Sequence, residues 1–276
     1  MRRFPSRGVR LLGSVALVAL AVALGGCKTI GTVDTTGSIA PAGAPRGEAE
    51  WRREADALAD KFRADPKDPD IAIRYSRALR GSGQRVQAAA VLEQAAIFNP
   101  NNKALLGAYG RALADAGNYN QALDVLGRAH TPDQPDWRIL SVQGAVLDQM
   151  GRHDDAQRYY ASALKILPDE PSVLSNLGLS YALSKDLKRA EETLRRASER
   201  GSTDRRVRQN LALVVGLQGR FSEAEAIARA DLPAAEAAAN VAYLRQMLAQ
   251  QQQQRGKPRK GVKPIGIDPI EDPSGT

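Results

Sequence analysis

The chemistry open to this chain is set by its few reactive side chains and their spacing. It has one cysteine, Cys27, and two histidines, His130 and His153. A lone thiol has no partner for a disulfide within the chain, and a cysteine-based metal site needs several ligands at set spacing. The histidines lie 23 residues apart, and neither has a cysteine or carboxylate at ligand spacing. Both therefore read as surface residues rather than as a general base or metal ligands. Asp154 and Asp155 follow His153 where a helix is expected to begin, and there carboxylates complement the helix dipole. A Gly-rich phosphate loop, a nucleophile elbow and a zinc-protease helix are all absent from the sequence. No catalytic residue, metal ligand or cofactor is expected, and the chain reads as a non-enzyme.

Cys27 has a different use. Arg2, Arg3, Arg7 and Arg10 precede an apolar run from Leu11 to Leu24, which leads into Leu24-Gly25-Gly26-Cys27. Charge, short apolar stretch and small-residue exit make residues 1–26 a signal peptide. The run is shorter than the roughly 20 apolar residues a spanning helix needs. Leu-Gly-Gly-Cys resembles the lipobox of bacterial lipoproteins. That resemblance implies cleavage before Cys27, a diacylglycerol thioether on its sulfur and acylation of the new amino terminus. Several acyl chains anchor stably where one does not. In the family pattern an Asp after the cysteine favours inner-membrane retention, so Lys28 implies the outer membrane, facing the periplasm. Residues 27–47, rich in Gly, Thr, Pro and Ala, form a flexible spacer after the lipidated Cys27.

The net charge of +8 drops once the four leading arginines are set aside, leaving 35 basic against 31 acidic residues. No dense basic run with interleaved aromatics follows, so nucleic acid is not an expected partner.

Arginines and asparagines are better placed to bind something, but only through the elements that carry them. Gly83, Gly117, Gly151 and Gly219 recur at 34 residues or a multiple of it, with Lys185 standing at the skipped position. Ala88, Ala122, Ala156, Ala190 and Ala224 repeat five residues later. Upstream, Ser76, Gly110, Gly144, Gly178 and Ala212 repeat at the same period. One period held over five copies marks a solenoid. Each unit is two antiparallel helices: the turn glycine ends the first in a left-handed conformation, and the small residues let the pair approach. Leu106, Tyr109, Leu113 and Leu126 fill the space in one unit. Leu174, Leu177, Tyr181 and Leu194 do so in another. Pro100 and Pro168 stop second helices.

These offsets resemble the tetratricopeptide repeat over residues 69–235, and the resemblance implies an all-α, right-handed superhelix of helix pairs. The units run 69–102, 103–136, 137–170, 171–204 and 205–235. Residues 48–68 form an N-terminal capping helix, 236–254 a C-terminal one, and 255–276 a disordered, partly basic tail. The chain departs from the pattern at Trp137, which opens a unit rather than holding the usual aromatic place. Gln134 and Ser202 replace the terminal proline. Arg208 stands where a large apolar residue is expected, and Asp231 where the other units have alanine.

In such a solenoid the first helices line the concave side. Arg77 and Arg111 share a phase there, Arg80 lies one turn from Arg77, and Arg138 opens the next unit. Asn176 and Asn210 are also phase-equivalent, and an amide both donates to and accepts from a peptide backbone. Leu179, Leu183, Leu213 and Leu217 make the groove of the last two units more apolar. These residues either form a partner-binding groove or a solvated polar face. The layout of lipobox, spacer and repeats resembles the TadD-like lipoproteins of tight-adherence (Flp-type) pilus systems. It implies an assembly scaffold with protein or peptide partners such as a secretin. A lipoprotein adaptor for another envelope machine, serving peptidoglycan enzymes or outer-membrane protein insertion, has the same build.

Overall fold

The computed structural model describes residues 47–200 and 204–256. The expected signal peptide, the lipidated Cys27, nearly all of the spacer, Ser202 and the tail beyond Gly256 lie outside the described residues.

Twelve α-helices, and no strand, occur among the described residues. In chain order they are α1 (Glu48–Ala64), α2 (Pro69–Gly81), α3 (Arg85–Phe98), α4 (Lys103–Asp115), α5 (Tyr119–Arg128) and α6 (Trp137–Gln149). Then follow α7 (His153–Ile166), α8 (Pro171–Leu183), α9 (Leu187–Arg200), α10 (Arg205–Leu217), α11 (Phe221–Ala228) and α12 (Ala234–Gly256). The last helix starts two residues before, and ends two residues after, the 236–254 read from the sequence.

Each helix pair is punctuated by local chemistry. The helices α2, α4, α6 and α10 start on Asp68, Asn102, Asp136 and Asp204, whose side chains accept backbone N–H groups of the first turn. α8 instead begins with Pro171, whose missing N–H is one of the helix's unpaired donors anyway. The first helix ends when the residue after the turn donates its N–H back across the last turn: Asn118 to Leu113 O at 2.9 Å, Arg152 to Leu147 O at 2.9 Å. This closure needs positive φ at the turn, supplied by Gly83, Gly117, Gly151 and Gly219 at 75–86°. Lys185 takes φ 71° at the equivalent place with a side chain attached, a conformation that costs an L-residue about 1 kcal/mol or more.

The two helices of a unit touch at the small residues. A Cβ on Gly144 would stand 2.7 Å from the Tyr160 ring, and one on Gly178 2.6 Å from Leu194. Gly110 faces Leu126 in the same way. Opposite them Ala88, Ala122, Ala156, Ala190 and Ala224 are all fully buried. Units then stack with each second helix against the first helix of the next unit, and the first helices also lie side by side, α2 beside α4, α4 beside α6, and on to α8 beside α10. The ends are covered by flanking helices. α1 buries Leu58 and Phe62, and its Trp51 lies over Gly81. α12 packs on both α10 and α11, burying Leu244 against Gly216.

Two departures from the repeat explain each other. Arg208, in the phase of buried Leu174, donates Nε–H to Asp231 Oδ2 at 2.8 Å and pairs with its other oxygen as well. Asp231 occupies the phase of the fully buried Ala197. A leucine–alanine contact in the fourth unit is thus replaced by a two-point ion pair in the fifth, the geometry arginine makes best with a carboxylate. The second unit departs differently: α5 stops at Arg128, and residues 129–136 form a loop closed by a bridge between Thr131 and Gln134.

The fourth and fifth units are also joined on the outside by ions. Glu191 accepts from Arg195 at 2.7 Å and from Gln218 at 2.9 Å, and pairs with Arg220. Arg195 and Arg220 both reach Glu223. Hydrogen bonding from Arg220 foremost, with Arg195 and Gln218, holds the Glu191 carboxyl down at about 2. A depressed carboxylate stabilises the fold above its ordinary value of 4.5 and ceases to do so as pH falls toward 2.

Two expectations follow from this packing. Gly144→Leu overpacks the α6–α7 pair against Tyr160 and destabilises by about 1–3 kcal/mol, read as a lowered urea midpoint. Glu191→Gln removes part of the stability lost between pH 4.5 and 2, so the variant's urea midpoint falls less steeply than the wild type's over that range. A parallel fall in both proteins would refute the role given to Glu191.

Candidate partner-binding cleft

The first helices face a concave cleft of about 710 Å³. It crosses them obliquely. In the early units it is bounded by the carboxyl-terminal ends of α2 and α4, through Arg80, Arg111 and Asp115. It follows α6 along its length, from Trp137 and Arg138 to Gln149. In the later units it meets only the amino-terminal turns of α8 and α10, at Ser172, Ser175, Asn176, Arg206 and Asn210. A diagonal track is the geometry expected when each repeat is rotated relative to the last.

That track decides which residues of the sequence reading come together. Arg80, Arg111, Arg138, Asn176 and Asn210 line the cleft. Arg77 does not; it is exposed, with its guanidinium 5.9 Å from the Trp51 ring of the capping helix. Leu179 and Leu213 also stand outside the lining and are half-buried. With Leu183 and Leu217 they sit in the carboxyl-terminal halves of α8 and α10, off the diagonal, so the expected apolar groove of the last two units is not part of the cleft. Arg206 and Arg85 line it although the sequence reading passed over them. Arg206 stands two periods after Arg138, so the same phase pointed to it.

The asparagines are partly committed. Asn210 Nδ2 donates to Ser175 Oγ at 2.9 Å, and Asn176 Nδ2 donates to Ser141 Oγ at 3.3 Å. Each bond joins neighbouring first helices, so these amides tie unit to unit. Each uses one of two amide N–H groups and leaves the carbonyl oxygen out of that bond.

Charge in the cleft is unbalanced. Five arginines (Arg80, Arg85, Arg111, Arg138 and Arg206) meet two carboxylates, Asp115 and Asp204. Asp115 pairs with Arg80. Asp204 caps α10 and lies 3.5 Å from Arg206. Among the described residues no carboxylate forms an ion pair with Arg85, Arg111 or Arg138. Arg111 is open to solvent at the cleft surface yet walled by protein. Burial foremost, then repulsion from Arg80, holds its guanidinium below the ordinary value, with Asp115 and Asp136 opposing. Arg138 lies with its guanidinium 4.5 Å from the Trp137 ring centroid, a cation–π contact.

The histidines are not the surface residues the sequence implied. His153 Nδ1 lies 2.9 Å from Asp148 Oδ1, and His130 Nε2 lies 3.3 Å from Gln143 Oε1; both rings are half-buried. Asp148 is itself buried and also accepts from Tyr160 OH at 3.0 Å and Ser180 Oγ at 2.8 Å. Burial pushes the Asp148 carboxyl up while the three donors pull it down. The Tyr160 hydroxyl is pushed up by burial and then by Asp148. A hydrolytic triad needs the serine on the histidine, so that the ring can take its proton. Here both groups bond the aspartate instead, and the cluster is a polar core contact. Its origin is legible in phase: Tyr160 stands where the first, second and fourth units have leucine, and its hydroxyl needs an acceptor inside the core. Among the described residues no group of three or more His, Cys, Asp or Glu side chains is placed to hold a metal ion.

Comparison with known proteins agrees with this architecture. The pattern of the tetratricopeptide repeat matches residues 79–143 and 149–214. No curated relative matches the chain by sequence. Among solved structures, that of PilW, described as a widely conserved type IV pilus biogenesis factor, is 18% identical with a TM-score of 0.61, over 70% of this chain and 91% of that one. TTC0263, a thermophilic tetratricopeptide-repeat protein from Thermus thermophilus, is 20% identical with a TM-score of 0.54, over 60% and 91%. The Cut9–Hcn1 hetero-tetramer of APC/C is 14% identical with a TM-score of 0.60, over 75% of this chain and 41% of that one. At these identities the likeness is one of fold. Residues 79–143 and 149–214 thus carry the tetratricopeptide pattern, and the fold of the described residues is an all-α helical solenoid.

The charge imbalance is measurable at Trp137. In a Trp51→Phe background the remaining Trp137 fluorescence is quenched more strongly by iodide than by caesium, and the difference shrinks as ionic strength rises. Arg138→Gln lessens the preference. Equal quenching by the two ions at low salt would contradict a cationic cleft.

Proposed function

We propose that this chain is a non-enzymatic scaffold held on the outer membrane by lipid on Cys27, and that it assembles protein components of an envelope machine, foremost a tight-adherence (Flp-type) pilus and its secretin. The observation that carries the scaffold part is the open, polar cleft running diagonally across all five first helices. A surface of that length contacts an extended segment of a partner, whereas catalysis needs a converging cluster, and the buried Asp148 group does not provide one. Support for the membrane part comes from the sequence: the arginine-led apolar run and Leu24-Gly25-Gly26-Cys27 ahead of a Gly/Thr/Pro spacer. Support for the pilus part is the resemblance of that whole layout to TadD-like lipoproteins. The PilW structure adds that the repeat fold serves a pilus biogenesis factor elsewhere.

The scaffold acts by proximity. A lipid anchor confines it to a surface, and a tether raises the effective concentration of any partner in the same layer. The test is a clean deletion complemented with wild type or with Cys27→Ser. Deletion is expected to abolish surface pili and secretin multimers. Cys27→Ser is expected to leave the membrane fraction, or remain as an uncleaved precursor, and to fail to restore pili. Normal piliation in the deletion strain would sink the pilus reading. Unchanged fractionation of Cys27→Ser would sink the anchor.

A further inference from the structure

We infer that the cleft accepts an acidic, extended segment of a partner protein, whose carboxylates pair with Arg111 and Arg138. This rests on the scaffold reading above and names the chemistry of the segment.

The cations lining the cleft are all arginine. Arginine presents a planar fork that binds a carboxylate at two points, which lysine cannot do. Some of these forks are already filled: Arg80 holds Asp115, and Arg206 lies near Asp204. Arg111 and Arg138, on the adjacent helices α4 and α6, have no ion pair among the described residues. Arg111 is in addition walled by protein and crowded by Arg80, while its surface stays open to solvent. A cation with a like charge beside it and no carboxylate in contact gains from an incoming anion.

Other lining groups favour a polypeptide over other polyanions. Ala114, Val142 and Ala145 line the cleft near these arginines, which suits apolar side chains alternating with acidic ones. Beyond them the Asn176 and Asn210 carbonyl oxygens are suited to accept backbone N–H groups. A nucleic acid would want a run of open aromatic faces for its bases. The lining offers Trp137, already stacked by Arg138, and Tyr119.

The test uses the full acylated chain in detergent and fluorescence anisotropy of three labelled probes: a short peptide alternating Asp with Leu, the same peptide with Asn for Asp, and a single-stranded oligo-dT. The acidic peptide is expected to bind, to weaken with salt, and to exceed the Asn peptide. Arg111→Gln and Arg138→Gln are each expected to weaken it by roughly tenfold, about 1.4 kcal/mol, with an unchanged helical spectrum and melting curve. Equal binding of the acidic and Asn peptides would overturn the inference. So would acidic-peptide affinity that both variants retain, or binding of oligo-dT without the peptide. A cellular arm separates this from the scaffold reading. If the deletion loses pili but Arg111→Gln/Arg138→Gln restores them fully, the acidic-segment inference fails while the scaffold stands. If the deletion keeps its pili, the pilus reading fails instead.

Discussion

Everything in this solenoid depends on how closely two antiparallel helices approach within a unit. Gly110, Gly144 and Gly178 leave no room for a Cβ because a large side chain of the second helix, Leu126, Tyr160 or Leu194, already occupies it. That contact sets the spacing within the pair and buries the alanines at 122, 156 and 190 completely. With the spacing set, the next first helix can only dock in one register, and the stack of first helices becomes a curved wall. The cleft is the inside of that wall. Its existence is a consequence of core packing, while its chemistry belongs to residues the core does not constrain.

A repeat tolerates change where the change is answered locally. Tyr160 in a leucine position brings a hydroxyl into the core; it donates to Asp148, whose carboxylate Ser180 and His153 bond in turn. Arg208 in a leucine position is met by Asp231 in an alanine position. A buried charge with its partner removed is costly, whereas the pair can be nearly neutral against an apolar contact. Lys185 is the contrasting case. It keeps the left-handed turn without glycine, and the strain is held there by the helices on either side.

The helix pairs were legible in the sequence because glycine, alanine and leucine recur at 34 residues for steric reasons that do not vary between units. One such signal passed unread: Asp68, Asn102, Asp136 and Asp204 cap successive first helices at the same period. The histidines were misread because their partners are set by the fold. Asp148 lies five residues before His153 across a turn, and Ser180 comes from the next unit. The cleft was legible in half. Phase alone places Arg77, Arg111, Leu179 and Leu213 on equivalent positions, but an oblique track treats them differently, and only Arg111 lies on it. Repeat phase tells which side of a helix faces inward. It does not tell how far along each helix the groove has moved.

That drift also bears on what the cleft can hold. A straight groove along one repeat position would present one residue type at regular spacing. The diagonal passes from the ends of α2 and α4 to the starts of α8 and α10, so it meets Arg80 and Arg111 first, then the mixed lining of α6 with Arg138, Val142 and Ala145, then serines and asparagines with Arg206 among them. A segment lying in it would meet cations along the whole track, with amides added only at its α8 and α10 end. The asparagines are held in place by Ser141 and Ser175 of the preceding unit, so the polar end is preorganised and loses little side-chain freedom on binding. The arginine end is preorganised less by bonds than by walls, since Arg111 has protein around it but no carboxylate in contact. Specificity for charge would then reside at Arg111 and Arg138 and tolerance of sequence at the asparagines, which suits a scaffold that must hold a partner firmly without demanding one exact motif.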